Sequence, residues 1–138
     1  MVYKGQEIRV CRRFHILGTT VTYEQKKHLI SKVKYGEVDC PVLDLSRGGV
    51  RFVGDNLLKI DSKILVKILF PDDKTPLLLS GRVRWISINP GQSYKYQTGV
   101  QFDPFGEKRG LNSPRCLAKL IELEKKALAE KREKEILP

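Results

Sequence analysis

Three guanidinium groups stand within five residues near the start of the chain, in RVCRRF at 9–14: Arg9, Arg12 and Arg13. Arginine's planar fork takes a phosphate or carboxylate bidentately, and it stacks on flat rings; lysine supplies only a point charge. A second cluster, DLSRGG at 44–49, spaces Asp44, Ser46 and Gly49 as D-x-S-x-x-G. There a carboxylate and a hydroxyl can accept and donate within one turn, while glycine admits positive φ and close approach of a ligand to the backbone. Such groups suit an anionic ligand, and the second cluster equally suits a well-made hairpin turn with no ligand. Chance weighs differently on the two. With ten arginines in 138 residues, about one R-x-x-x-R pair is expected at random, and Arg47 with Arg51 makes a second beside Arg9 and Arg13. The D-x-S-x-x-G spacing is expected only about 0.03 times in a chain of this composition.

No other constellation points to chemistry. His15 and His28 have no acidic or cysteine partner at useful spacing, Asp72 and Asp73 fall in a turn-like PDDKTP, and no phosphate loop or nucleophile motif occurs. An enzyme is therefore not expected. Cys11, Cys40 and Cys116 are odd in number and far apart, which offers neither a metal knuckle nor a disulfide framework. No metal or cofactor is expected, and a reducing, cytoplasmic setting follows. The longest apolar runs, such as Leu77–Leu79, are too short to span a bilayer, and the N-terminus lacks the apolar stretch of a signal peptide.

The formal net charge is +10. The C-terminal KKALAEKREKE is mixed in sign, but over residues 1–13 Lys4, Arg9, Arg12 and Arg13 outweigh Glu7, a local +3. That cluster asks for open water or an anionic partner: nucleic acid, a nucleotide, an anionic membrane or an acidic protein.

The elements that must position these groups are mostly strands. KILVKILF (63–70) puts Ile64, Val66, Ile68 and Phe70 on one face and Lys63 and Lys67 on the other. LLLSGRVRWIS (77–87) sets Leu77, Leu79, Gly81, Val83 and Trp85 against Ser80, Arg82 and Arg84, and YKYQTGVQF (94–102) sets Tyr94, Tyr96, Thr98, Val100 and Phe102 against Lys95, Gln97 and Gln101. Pro90–Gly91 suits a type II turn between them. Further strands are expected at 19–25, 38–46 and 49–54. SPRCLAKLIELEKKALAEKREKE then changes period: Ser113 caps a helix, Pro114 takes its first position, and Leu117, Leu120, Ile121 and Leu128 form its apolar stripe. The stripe fades past Leu128, so the last turns are expected to fray. Hydrophobic content of 41% with 30% charged residues is that of a globular chain, and 138 residues fit one domain.

In this order and over nearly the whole chain, Arg9–Arg13, Asp44–Gly49, GRVRW (81–85) and TGVQFDPF (98–105) resemble the PilZ domain family. The resemblance implies an all-β fold, a six-stranded antiparallel β-barrel with a C-terminal α-helix, that binds the bacterial second messenger cyclic di-GMP. The division it implies is a flexible N-terminal arm at 1–13, a barrel at 14–112 and a helix at 113–138; from the short segment before Arg9, no upstream partner domain is expected. By the same likeness Arg9 and Arg13 grip guanine edges and phosphates, Asp44 accepts from a guanine N–H, Ser46 bonds phosphate or base, and Gly49 lets the backbone come close. Arg12 and Arg51 are expected nearby as additional cations. The arm is expected to order around the ligand, and an unidentified protein partner reads the change. Two departures stand out. YEQKKHLISKVKYGE (23–37) is long and basic for a first hairpin, and Ile8 stands where an extra arginine accompanies a stacked ligand dimer in the family, which leaves one or two ligand molecules open. Two alternatives remain: a basic barrel for single-stranded nucleic acid, against which the core-like spacing of Tyr94, Tyr96 and Phe102 counts, and a PilZ-like adaptor that no longer binds the messenger.

Overall fold

A computed structural model describes residues 12–25, 35–91 and 93–136. Six antiparallel strands, β1 (Thr20–Gln25), β2 (Tyr35–Ser46), β3 (Gly49–Gly54), β4 (Lys63–Phe70), β5 (Asp73–Ile88) and β6 (Tyr96–Phe102), precede one helix, α1 (Pro114–Ile136). The strands close into a barrel in the order β1-β2-β3-β6-β5-β4, with β4 returning to β1. Closure satisfies every edge, and alternation puts one face of each strand inside. Val21, Phe52, Ile64, Ile68, Val83 and Leu45 are fully buried there.

Strand positions follow the alternation, but their ends do not. β2 begins at Tyr35 rather than 38, and β5 begins at Asp73 rather than 77, so PDDKTP is not all connection: Asp73 already pairs with Phe70. β6 begins at Tyr96, and Tyr94 lies in the preceding bend. Gly91 takes a φ of 64°, as the proline–glycine turn requires. The connection between β1 and β2, where the long basic stretch was noted, falls at 26–34, outside the described residues.

Two irregularities reset which side chains face inward. Between Val83 and Trp85 the β5–β6 register slips by one, so Trp85 stands opposite Gly99 on the outer face and Ile86 takes up the inward phase. The alternation had placed Trp85 with the core; the bulge overrides it. Between Val42 and Asp44 the β2–β3 register slips likewise. Cys40 and Val42 point inward before it and Leu45 after it, leaving Asp44 outside, opposite Arg51.

Helix α1 covers the barrel with Leu120 and Leu123, while Leu117, Ile121 and Leu128 are only half-buried. The Ser113 hydroxyl caps it, accepting from Arg115 N at 3.2 Å. It is helical to Ile136, through the last turns where fraying was expected. Lys119 Nζ reaches Asp73 at 2.7 Å at one end. Further along, the Arg47 fork grips Glu124, through Nε to Oε2 at 3.1 Å and Nη2 to Oε1 at 3.4 Å. There the buried face of the helix takes in an acid, Glu124, beside the apolar Leu120 and Leu123.

Inside the barrel the Tyr23 hydroxyl donates to Glu37 Oε1 at 2.6 Å, and Glu37 also accepts from Asp55 N and Asn56 N. Burial, and then the bond to Glu37, raise the Tyr23 phenol above its ordinary value. Burial first, and then the charge of Glu37, push the Cys40 thiol up to about 12. Both groups keep their protons in the folded state at pH values where the unfolded chain has lost them. Their contribution is complete below the unfolded thiol value of 9.0 and is lost as pH climbs toward 12. The urea midpoint is therefore expected to hold steady from pH 6 to 8 and to fall above about pH 9, less steeply in Cys40→Ala. An equal slope in that variant would refute the assignment.

Candidate functional site

The D-x-S-x-x-G motif is the β2–β3 hairpin. Ser46 pairs with Gly49 across it, and Arg47–Gly48 forms the turn. The Ser46 Oγ accepts from Gly48 N at 3.2 Å, which leaves its own O–H free to donate outward. Neither glycine adopts a positive φ, contrary to expectation. Gly49 is required for another reason: a Cβ there would land on the Val100 carbonyl oxygen of β6, well inside contact distance. The close approach is strand to strand.

Just before the barrel, Phe14 docks on β2, with its N–H donating to Leu45 O and Leu45 N–H donating back, both at 2.8 Å. This anchor holds Arg13 beside the hairpin. Arg13 Nη1 donates to Asp44 Oδ1 at 3.0 Å, and Arg51 Nη2 donates to Asp44 Oδ2 at 2.6 Å. One carboxylate thus orients two arginine forks. The Asp44 side chain is 12% exposed and Arg13 is 63% exposed, so the acid is buried support and the Arg13 fork is displayed to solvent. Arg51 Nε is buried with no partner among the described residues.

Beside these residues lies a cleft of about 430 Å³, lined by Arg13, Ser46, Gly48, Gly49, Arg51, Arg84, Trp85 and Gly99, a volume suited to a small ligand. Trp85 is the chain's single tryptophan, and its indole lies directly on the Gly99 backbone, where any Cβ would displace the Nε1 edge. At 37% exposure it presents a flat π surface to the cleft. Arg84 borders it, its Nε donating to Gln101 Oε1 and its Nη1 to Asp61 Oδ1 at 3.2 Å. Sequence reading missed Trp85 and Arg84 as site residues. The glycine paired with the tryptophan was a signal, although alternation argued the other way.

A second hollow of about 510 Å³ lies on the other side of the Arg13–Asp44 pair, between His15 and Leu43 and the helix residues Leu128, Lys131 and Lys134. His15 Nδ1 is 2.9 Å from Leu43 O, which gives the ring a structural contact. Of the expected residues, the fold brings together Arg13, Asp44, Ser46, Gly49 and Arg51. Arg12 is exposed and makes no ion pair or hydrogen bond among the described residues, and Arg9 lies outside them. Among the described residues no group of three His, Cys, Asp or Glu side chains is placed to hold a metal, and no helix is long and apolar enough to cross a membrane.

The PilZ domain family matches residues 9–113, well over half of the chain. No curated protein matches it. The match takes in both arginine-bearing segments, the hairpin motif and every strand of the barrel. PilZ is generally a cyclic di-GMP-binding domain, a receptor and not a catalyst. By this match, and by the closed six-stranded barrel with its single C-terminal helix, the chain belongs to the PilZ domain family.

Proposed function

We propose that this chain is a cyclic di-GMP receptor that binds the messenger in the cleft between the hairpin motif and Trp85, and signals to a protein partner by a ligand-induced change of shape. The observation that carries the reading is the Asp44 carboxylate holding Arg13 and Arg51 side by side at the mouth of a cleft with an exposed indole. Two guanidinium forks suit the phosphates and the O6/N7 edge of guanine, and the indole suits the guanine face. Ser46 O–H donates to a phosphate oxygen, and Asp44, holding one arginine at each carboxylate oxygen, aims them. Arg9 joins from the arm, with Arg12 beside it. Ordering the arm costs roughly 1–2 kcal/mol per residue that starts free, which the ligand contacts offset. No bond is made or broken, and the setting is the bacterial cytoplasm.

Single-stranded nucleic acid fits less well. It asks for successive exposed stacking platforms, yet Phe102 is buried and Tyr94 and Tyr96 are half-buried.

The test is a titration with cyclic di-GMP, followed by calorimetry and by the fluorescence of the single tryptophan. Saturable heat with a matching change in Trp85 emission is expected, with a rise in melting temperature equivalent to about 2.7 kcal/mol at a hundredfold excess over Kd. Heat without an emission change would place the ligand elsewhere. No heat from folded protein would leave the adaptor reading.

A further inference from the structure

A further concavity lies apart from the cleft of the arginines. It is a groove of about 530 Å³ on the outer face of β1, β4 and β5, closed at one end by residues 110–112. In the ring order β1-β2-β3-β6-β5-β4, β4 lies opposite β3 and β1 opposite β6, so the groove faces away from the proposed messenger cleft.

Its floor is out of keeping with an outward sheet face. Leu65 alternates with Lys63 and Lys67, and Leu78 with Ser80 and Arg82, so both leucines stand in the polar phase of their strands. Lys67 pairs with Leu78 and Leu65 with Ser80, which makes the two leucines diagonal neighbours on one surface. Leu111 completes the patch. The three are 36%, 65% and 37% exposed, and contiguous exposed leucine on a soluble domain marks an interaction surface. The rim is basic. Lys63 is held by Asp103 at 3.5 Å, but Lys67, Lys108 and Arg109 are exposed and make no ion pair among the described residues.

We propose that this groove docks an acidic amphipathic helix of a partner protein. A closed barrel has no free strand edge, so a partner cannot add a strand and must dock by side-chain faces. A concave apolar floor takes the ridge of a helix with leucine-type anchors three and four residues apart, and carboxylates along its flanks meet the unpaired cations of the rim. A bilayer surface needs a protruding face, which a groove is not. The surface rests on the receptor reading only for its use as an output, and its test is run without messenger, so failure here leaves that reading untouched.

The probes are two helix-stapled peptides with the same leucine stripe, one carrying glutamate and the other lysine at the remaining positions. Each is titrated into the full chain labelled at its leucine methyl groups. The glutamate peptide is expected to shift the methyls of Leu65, Leu78 and Leu111 saturably, and the lysine peptide is not. Lys67→Glu and Leu78→Ser, both at exposed positions, are each expected to weaken binding at least tenfold while the melting temperature holds. Equal response to both peptides, shifts centred on other leucines such as Leu17 or Leu57, or no shift at millimolar peptide would overturn the proposal. So would unchanged affinity in both variants, or stronger shifts with phosphatidylglycerol vesicles than with peptide.

Discussion

Arg13→Ala is expected to weaken cyclic di-GMP binding by two orders of magnitude or more, about 2.7 kcal/mol, while scarcely changing stability. The Arg13 side chain is 63% exposed and its ion pair is shared with solvent, so losing it costs the fold no more than about 1 kcal/mol. Its fork, however, is displayed to solvent at the edge of the cleft. Asp44→Ala separates from this in a second readout. It removes the acceptor that fixes both Arg13 and Arg51, so binding falls as far. It also leaves two neighbouring cations without their counter-charge, one with a buried Nε already unpartnered, for a loss of about 1–3 kcal/mol of stability. Calorimetry beside a urea melt checks both. If Arg13→Ala binds as the native chain does, Arg13 is not a ligand contact; if Asp44→Ala binds normally, its carboxylate does not aim the site.

Arg47→Ala should destabilise the protein by about 3–5 kcal/mol, a large part of a domain's usual 5–15. Arg47 belongs to the D-x-S-x-x-G turn but points away from the cleft, into a bidentate pair with Glu124 of α1. The Glu124 side chain is only 6% exposed, so removing its partner strands a carboxylate between helix and barrel. Replacing both, Arg47→Met with Glu124→Leu, is expected to restore most of the loss, because an apolar pair of similar volume needs no counter-charge. Urea melts of the two single variants and the double decide it. If Arg47→Ala loses less than 1 kcal/mol, the pair does not hold the helix. The motif turn thus carries a clamp for α1 on one side and the arginine cleft on the other.

Period-two alternation and turn residues were enough to read the strands and most inward positions of β4, β5 and β6, because a closed barrel buries one face of every strand and that demand writes itself into the residue types. Ile64, Val66, Ile68 and Phe70 needed nothing more, and neither did the serine–proline start of α1. The gathering of Asp44, Ser46 and Gly49 about one turn was legible too, since the D-x-S-x-x-G spacing between two strands leaves room only for a tight hairpin. The aim of the site was not. Asp44 and Trp85 face outward because one-residue slips at Val42/Asp44 and Val83/Trp85 reverse the alternation, and a register slip depends on the neighbouring strand, which local sequence does not name. The same holds for Gly49, whose missing Cβ answers to the Val100 carbonyl across the sheet, and for Glu124, buried in α1 because Arg47 comes to meet it from 77 residues away. Side-chain identity sets what each group can do; strand register and long-range pairing set where it points.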